Sequence, residues 1–205
     1  MFIRYLWIDP RLFFTVALLV VFSVCCHEYM HAFVALKMGD DTAARRGHLT
    51  LNPFRQMGIW SLAMLLFLGI AWGQVPVTPE NFRSRAGRVL TSLAGPLTNL
   101  GLWLIFTLLA FAAFRGGVQH FASDMLTYGA VLNLALFIFN MLPVPGLDGF
   151  SVLLEYFPDL VRRDSEVIKG AFFMLVVLLF VFVDKLFEAA RIVTALLLLG
   201  LDRVF

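Results

Sequence analysis

Long apolar stretches separated by short polar ones set the outline of this chain. Residues 12–26, 89–114, 125–139 and 171–183 carry almost no charge, and a helix crossing the hydrocarbon core of a bilayer needs about 20 mostly apolar residues. Asp9-Pro10 in front and Gly39 behind mark the start and stop of one helix over 11–37. Residues 40–56 are polar and basic, and within them His48-Leu49-Thr50-Leu51-Asn52 alternates as a short strand does, until Pro53 ends it. The apolar segment 57–72 is short, with Gly58 and Gly69 inside it and Gly73 after it. Gln74 to Pro79 is extended, because Pro76 and Pro79 forbid helix there. A long helix follows over 87–114, with an interruption expected at Gly95-Pro96, and another covers 124–141. The second of these stops at Pro143-Val144-Pro145-Gly146, and Asp148-Gly149 opens a short amphipathic segment to Phe157-Pro158. Residues 167–183 span again, and 186–201 either cross back or lie in the interface.

Composition turns this outline into a class. Of 205 residues 60% are hydrophobic and 15% charged, against about 45–50% and 25% in soluble domains, so a water-soluble globule is excluded. The expectation is an all-α polytopic membrane protein, a single domain over 1–205 embedded in the lipid bilayer. It has five to six apolar segments, a re-entrant segment at 57–72 and a small strand element near 48–52. The net charge of +2 is spread over short interhelical stretches rather than gathered in a block, which argues against a nucleic-acid partner. Cys25 and Cys26 are adjacent on a helix and point about 100° apart, so they read as small buried hydrophobes rather than a bridge. Arg4 and Arg11 before an apolar run resemble a secretory signal, but no small-x-small cleavage site follows and the first helix is read as retained.

The basic residues orient the segments. Lys37, Arg45, Arg46 and Arg55 follow the first helix, and Arg83, Arg85 and Arg88 precede the helix over 87–114. Cytoplasmic loops hold the excess of Lys and Arg, so both groups belong on the cytoplasmic side. That is possible only if 57–72 enters the membrane and returns. Segment 89–114 then goes out and 124–141 comes back, which brings Asp148 to the same side as the end of the first helix.

Candidate chemistry lies at that end. His27-Glu28-Tyr29-Met30-His31 is His-Glu-x-x-His on a helix, a spacing that stacks His27 and His31 on one face, where two imidazoles can share one zinc ion. Glu28 lies one step round the helix, placed to take a proton from an attacking water and return it to a leaving amine. Ionisable side chains inside a membrane helix are costly and are functional candidates by default. A catalytic zinc takes a third protein ligand and leaves a fourth position open. Asp148 is the candidate third ligand; the alternative is that it caps the helix it opens. His48 and His120 read as solvated or hydrogen-bonded residues. Asn99 and Asn140 are either substrate contacts or interhelical hydrogen-bond partners.

These residues resemble a known family. His27-Glu28-Tyr29-Met30-His31 together with Asn140-Met141-Leu142-Pro143-Val144-Pro145-Gly146-Leu147-Asp148-Gly149 is similar to the site-2 protease family of intramembrane zinc proteases, peptidase family M50. Gly39 to Arg45, Leu49 to Pro53 and Leu93 to Asn99 are similar to stretches of its compact, bacterial-type branch, and no appended PDZ or CBS domain is expected. The resemblance implies one zinc per chain on His27, His31 and Asp148, with Glu28 as the catalytic acid/base and Asn140 holding substrate or its oxyanion. It implies hydrolysis of peptide bonds in or near transmembrane segments of membrane proteins, in a bacterial cell membrane with the site toward the cytoplasm. The chain departs from the family at Phe54-Arg55-Gln56-Met57-Gly58, where many relatives carry a His and an Asp. That bears on substrate preference or local loop structure, not on the core chemistry.

Two further expectations concern mechanism. The Gly/Pro-broken pieces near Gly95-Pro96 and 143–149 line a wet pocket, and the strand 48–52 binds an unwound substrate by edge pairing, or else only packs over the first helix. Two rival classes remain open. One is a catalytically silent scaffold for transmembrane partners, against which intact Glu28 and all three ligands count. The other is a zinc carrier, which needs a relay of polar residues that 167–203 does not supply.

Overall fold

The computed structural model describes residues 1–118, 120–158 and 165–204, without the side chains of 165–169, 171–180 and 204. Helices dominate, and no strand occurs among the described residues. The chain divides into two compact units, Met1–Asn99 and Leu100–Phe205.

The first unit is organised on α2 (Pro10–Met38), preceded by a helical turn at Phe2–Arg4 and by α1 (Tyr5–Ile8). Asp9 caps α2 by accepting a hydrogen bond from the Leu12 N–H at 3.0 Å, and Pro10 occupies the first turn, where its missing N–H costs nothing. At the other end Gly39 takes φ 112°, a left-handed conformation, and the Asp40 N–H returns to the Ala35 carbonyl at 2.9 Å. The 29 residues between rise about 43 Å at 1.5 Å each, enough to cross a bilayer core.

Two short helices follow, α3 (Thr42–Arg45) and α4 (Pro53–Gln56), and then α5 (Gly58–Leu68). With 11 residues, α5 rises only about 16 Å, roughly half a bilayer core. Leu65, 1% exposed, packs with Met57 against Val24 and Cys25 of α2. After Gly69 the chain doubles back along α5. The Trp72 N–H donates to the Ser61 hydroxyl oxygen at 2.9 Å, that hydroxyl donates to the Trp72 carbonyl at 2.6 Å, and the Gln74 N–H reaches the Gln56 carbonyl at 3.1 Å. Residue 74 therefore ends beside residue 56.

The strand expected at 48–52 does not form. Instead of pairing with another strand, the segment bends around Gln56, whose side-chain amide donates to the carbonyls of His48 at 2.8 Å and Thr50 at 2.6 Å. Gln56 is almost fully buried. Gln56 lies in the stretch 54–58, where the chain departs from the family pattern, and it holds the loop. Three alternating positions without a partner strand are too weak a signal to outweigh a buried side chain that satisfies the same backbone groups.

A second polar hub lies at Asp40, which is fully buried. Its carboxylate accepts from the Thr42 N–H at 3.0 Å, the Thr42 hydroxyl, the Thr78 N–H at 2.7 Å and the Asn81 amide at 3.1 Å. These bonds tie the extended segment before α6 to the end of α2, and the Arg83 N–H adds a bond to the Met38 carbonyl at 3.1 Å.

The helix α6 (Arg85–Arg115) runs without the interruption expected at Gly95-Pro96. Pro96 withholds one N–H from the carbonyl four residues earlier, which a membrane helix tolerates when neighbours compensate. The boundary between the units falls inside this helix.

In the second unit, α7 (His120–Asn140) packs on α9 (Ser165–Val204) through Val131, Leu134, Ala135 and Ala190. The Trp103 indole N–H donates to the Thr194 hydroxyl at 3.1 Å. The two segments expected at 167–183 and 186–201 are one continuous helix of 40 residues; the side chains that would test most of the first span lie outside the described residues. Between α7 and α8 (Asp148–Tyr156), Gly146 takes φ 94° and the chain reverses so tightly that a side chain at Gly149 would overlap the Met141 carbonyl. This return sets the start of α8 against the end of α7. Among the described residues α2, α6 and α7 are long and apolar enough to cross a membrane.

Candidate metal centre

The centre is built where α2 and the first half of α6 run antiparallel. Met38 lies against Gly87, His31 against Thr91 and Gly95, and His27 against Gly95 and Asn99. The α6 positions are spaced four apart and so form one stripe. Glycine at 87 and 95 lets the helices approach: a Cβ at Gly87 would meet the Met38 Cβ at 3.0 Å, and one at Gly95 would overlap Nε2 of both His27 and His31.

His27, Glu28 and His31 are each 7–8% exposed. The imidazole rings lie nearly perpendicular, at 77°, with centroids 4.6 Å apart. His31 Nδ1 is 2.7 Å from the Thr91 carbonyl, an oxygen that only accepts, so this nitrogen carries the hydrogen. His27 Nδ1 likewise donates to the Asn99 side-chain oxygen at 2.6 Å. With both Nδ1 atoms protonated, each neutral ring presents a lone pair at Nε2, and the two Nε2 atoms stand 3.0 Å apart. A cation shared between the two Nε2 atoms satisfies both. The donor set, the committed Nδ1 atoms and the clearance left by Gly95 all fit zinc, whose histidine ligands almost always donate their other ring N–H to an oxygen.

Glu28 is covered by the segment that returns along α5. A Cβ at Gly73 would overlap the Glu28 side chain, so only a glycine lets this backbone lie over the carboxylate. Here the need is for close approach and not for an unusual φ.

The other expected residues fall as follows. Asp148 is the first helical residue of α8, and the residue at the cap position is Leu147. Its carboxylate sits at a helix N-terminus, which favours negative charge. Asn140 ends α7, and its amide donates to the Leu136 carbonyl at 3.0 Å. Asn99 is fully buried, with its oxygen on His27. His48 lies 3.4 Å from the Gln56 side-chain oxygen, away from the pair, and His120 is exposed at the start of α7. Cys25 and Cys26 are free thiols. The sequence reading missed the Thr91 carbonyl, Gly73 and the role of Gly95. The available signal was the spacing Gly87, Thr91, Gly95, Asn99, which matches the four-residue step between the histidines.

Comparison with known proteins gives a consistent result. A model of peptidase family M50 matches residues 112–183. Several relatives carry the name "putative zinc metalloprotease". YwhC of Bacillus subtilis is 35% identical over 87% of this chain and 85% of its own length. Rip2 of Mycobacterium tuberculosis is 36% identical over 64% of this chain and 52% of its own, so the chain spans about half of that relative. A Methanocaldococcus jannaschii protein is 34% identical over 69% of this chain and 71% of its own. No solved structure matches.

Proposed function

Because this chain belongs to peptidase family M50, the site-2 protease family of zinc metalloproteases, we propose that it hydrolyses peptide bonds in or beside the transmembrane segments of other membrane proteins. The observation that carries the reading is the convergence of the His27 and His31 Nε2 atoms with both Nδ1 atoms engaged. Asp148 completes the ligand set, each residue offering one donor atom, two imidazole nitrogens and a carboxylate oxygen. One zinc ion per chain leaves a fourth position for water or substrate. The whole chain acts as one catalytic domain.

Zinc, when bound, acts as a Lewis acid toward the scissile carbonyl and lowers the pKa of water to about 7. Glu28 does the proton work: its carboxylate accepts the proton of the attacking water and delivers it to the leaving amine nitrogen. The buried setting of Glu28 under Gly73 keeps bulk water from competing for that carboxylate. Asn140, at the turn before Asp148, holds the substrate backbone by exchanging its bond to Leu136 for one to the substrate. The bent segment 48–52 is a poor edge for substrate pairing, since two of its carbonyls already accept from Gln56.

The site faces the cytoplasm of a bacterial cell, with α5 entering the bilayer and returning. What supports this is the adjacency of residues 56 and 74 together with basic residues on both flanking loops. A cysteine placed at residue 80 should then label from the cytoplasmic side; labelling only from outside defeats this orientation.

Glu28→Gln is the test of function. It should lower proteolysis by about 100-fold or more while zinc content stays at one per chain. Retained cleavage by this variant overturns the assignment of Glu28. A folded parent that takes up no zinc overturns the enzymatic reading and leaves a scaffold.

A further inference from the structure

Asn99 entered as a possible substrate contact, and its placement points elsewhere. The two histidines are held by different means. His31 is steered by a backbone carbonyl, that of Thr91, which no side-chain substitution removes. His27 is steered by a side chain, with its Nδ1 2.6 Å from the Asn99 oxygen, and Asn99 is fully buried on the α6 stripe that faces α2. We propose that Asn99 is the positioning residue of the metal centre: by accepting the His27 Nδ1–H it sets the tautomer that leaves Nε2 bare, and it locks the ring in the plane that brings Nε2 to within 3.0 Å of its partner on His31.

The physical argument has three parts. An imidazole has two tautomers, and only the one protonated on Nδ1 offers Nε2 to a metal. An acceptor at Nδ1 selects that tautomer and raises the basicity of the ligating nitrogen. Asn99 supplies the side-chain acceptor at His27 Nδ1, since Gly95 has no side chain and the Thr91 hydroxyl is turned to the Gly87 carbonyl at 2.9 Å. The role therefore depends on the oxygen of Asn99 and not on its NH2 group, whereas a substrate or oxyanion contact would depend on the NH2 group. That difference makes the two roles separable.

The inference rests on the proposed zinc site, and the test keeps the two apart. Zinc affinity is measured by chelator competition on detergent-purified parent, Asn99→Asp and Asn99→Leu, with helix content and thermal unfolding recorded for each. Aspartate keeps the acceptor and lacks the donor; leucine lacks both. The expected result is a zinc affinity about 10- to 100-fold weaker in Asn99→Leu and equal to the parent or tighter in Asn99→Asp. Folded Asn99→Leu with parental affinity overturns the proposal, as does Asn99→Asp weakened as much as Asn99→Leu. If the leucine variant does not fold, Asn99→Asp decides alone: retained affinity supports the acceptor role and a tenfold loss overturns it. A parent without zinc instead removes the metal site itself, a separate failure.

Discussion

The helices α2 and α6 are nearly equal in length and equal in hydropathy, yet the molecule uses them in opposite ways. Of the most apolar stretch of α2, 56% is buried inside the protein; of that of α6, 17% is. Hydropathy measures transfer out of water, and both helices pass that test equally. It does not say whether a side chain leaves water for protein or for lipid. What separates the two is the pattern of polar groups. Ser23, His27, Glu28 and His31 give α2 a buried polar core that must be matched inside the protein. On α6 the buried polar groups are confined to the stripe that does the matching, Thr91 and Asn99 within the first unit. Away from that stripe, Leu90 and Leu97 of α6 are about half exposed.

This contrast can be broken most sharply at Gly95. A methyl group there overlaps both Nε2 atoms, so Gly95→Ala should drive the ligands apart, strip the zinc and lower proteolysis by about 100-fold or more. Metal analysis and a cleavage assay on the same preparation check it, and a fully zinc-loaded, active variant would show that α2 and α6 are not in close contact. Next in size is the apolar floor beneath the site. Leu65→Ala leaves a cavity against Val24 and Cys25 and should destabilise the protein by about 2–5 kcal/mol in detergent unfolding. Gln56→Ala strips the donor from two carbonyls and should cost about 1–3 kcal/mol, read by the same unfolding and by faster proteolytic nicking within 48–52.

The Asp40 hub adds a dependence on pH. Burial raises its pKa, but the hydrogen bonds from the Thr42 hydroxyl, the Thr78 N–H, the Asn81 amide and the Thr42 N–H outweigh it, and the net shift is downward from the usual carboxylate value. A folded-state pKa below the unfolded one means stabilisation that is fully present above the unfolded value and lost as pH falls through the folded one. The link between the end of α2 and the segment before α6 should therefore loosen only in acid, below the ordinary carboxylate range. Asp40→Asn should remove that acid-dependent part of the unfolding profile, and an unchanged profile counts against it. The smallest effect belongs to the outer face of α6. Leu97→Ala lies two residues from Gly95 but is 53% exposed, and should change stability by no more than about 0.5 kcal/mol. A large loss there would mean that this face is packed against another protein.

Much of this was legible in the sequence because it rests on local, periodic signals. Asp9-Pro10 and Gly39 bounded α2 to within a residue, since caps act on neighbouring backbone groups. The step from His27 to His31 placed two imidazoles on one face because a helix repeats every 3.6 residues. The errors fell where the deciding partner is distant along the chain. Alternation at 48–52 suggested a strand, but Gln56 claimed its carbonyls. Gly95-Pro96 suggested a break, but the glycine is there to clear two imidazoles, and the helix continues past the proline. The segments 167–183 and 186–201 were read apart, but Asp184 and Lys185 between them are carried within one helix.

What the sequence determined by itself was therefore the membrane class, most of the helical segments, the pairing of two imidazoles on one helix face and the family, because hydropathy, caps and short motifs act over one or two turns. Only the tertiary structure decided which helix is buried, why positions 73 and 95 are glycine, and which nitrogen of each histidine faces its partner. Those depend on contacts between residues as much as 72 positions apart. Steric clearance and hydrogen-bond direction are properties of a pair of atoms in space, and neither partner's local sequence records them.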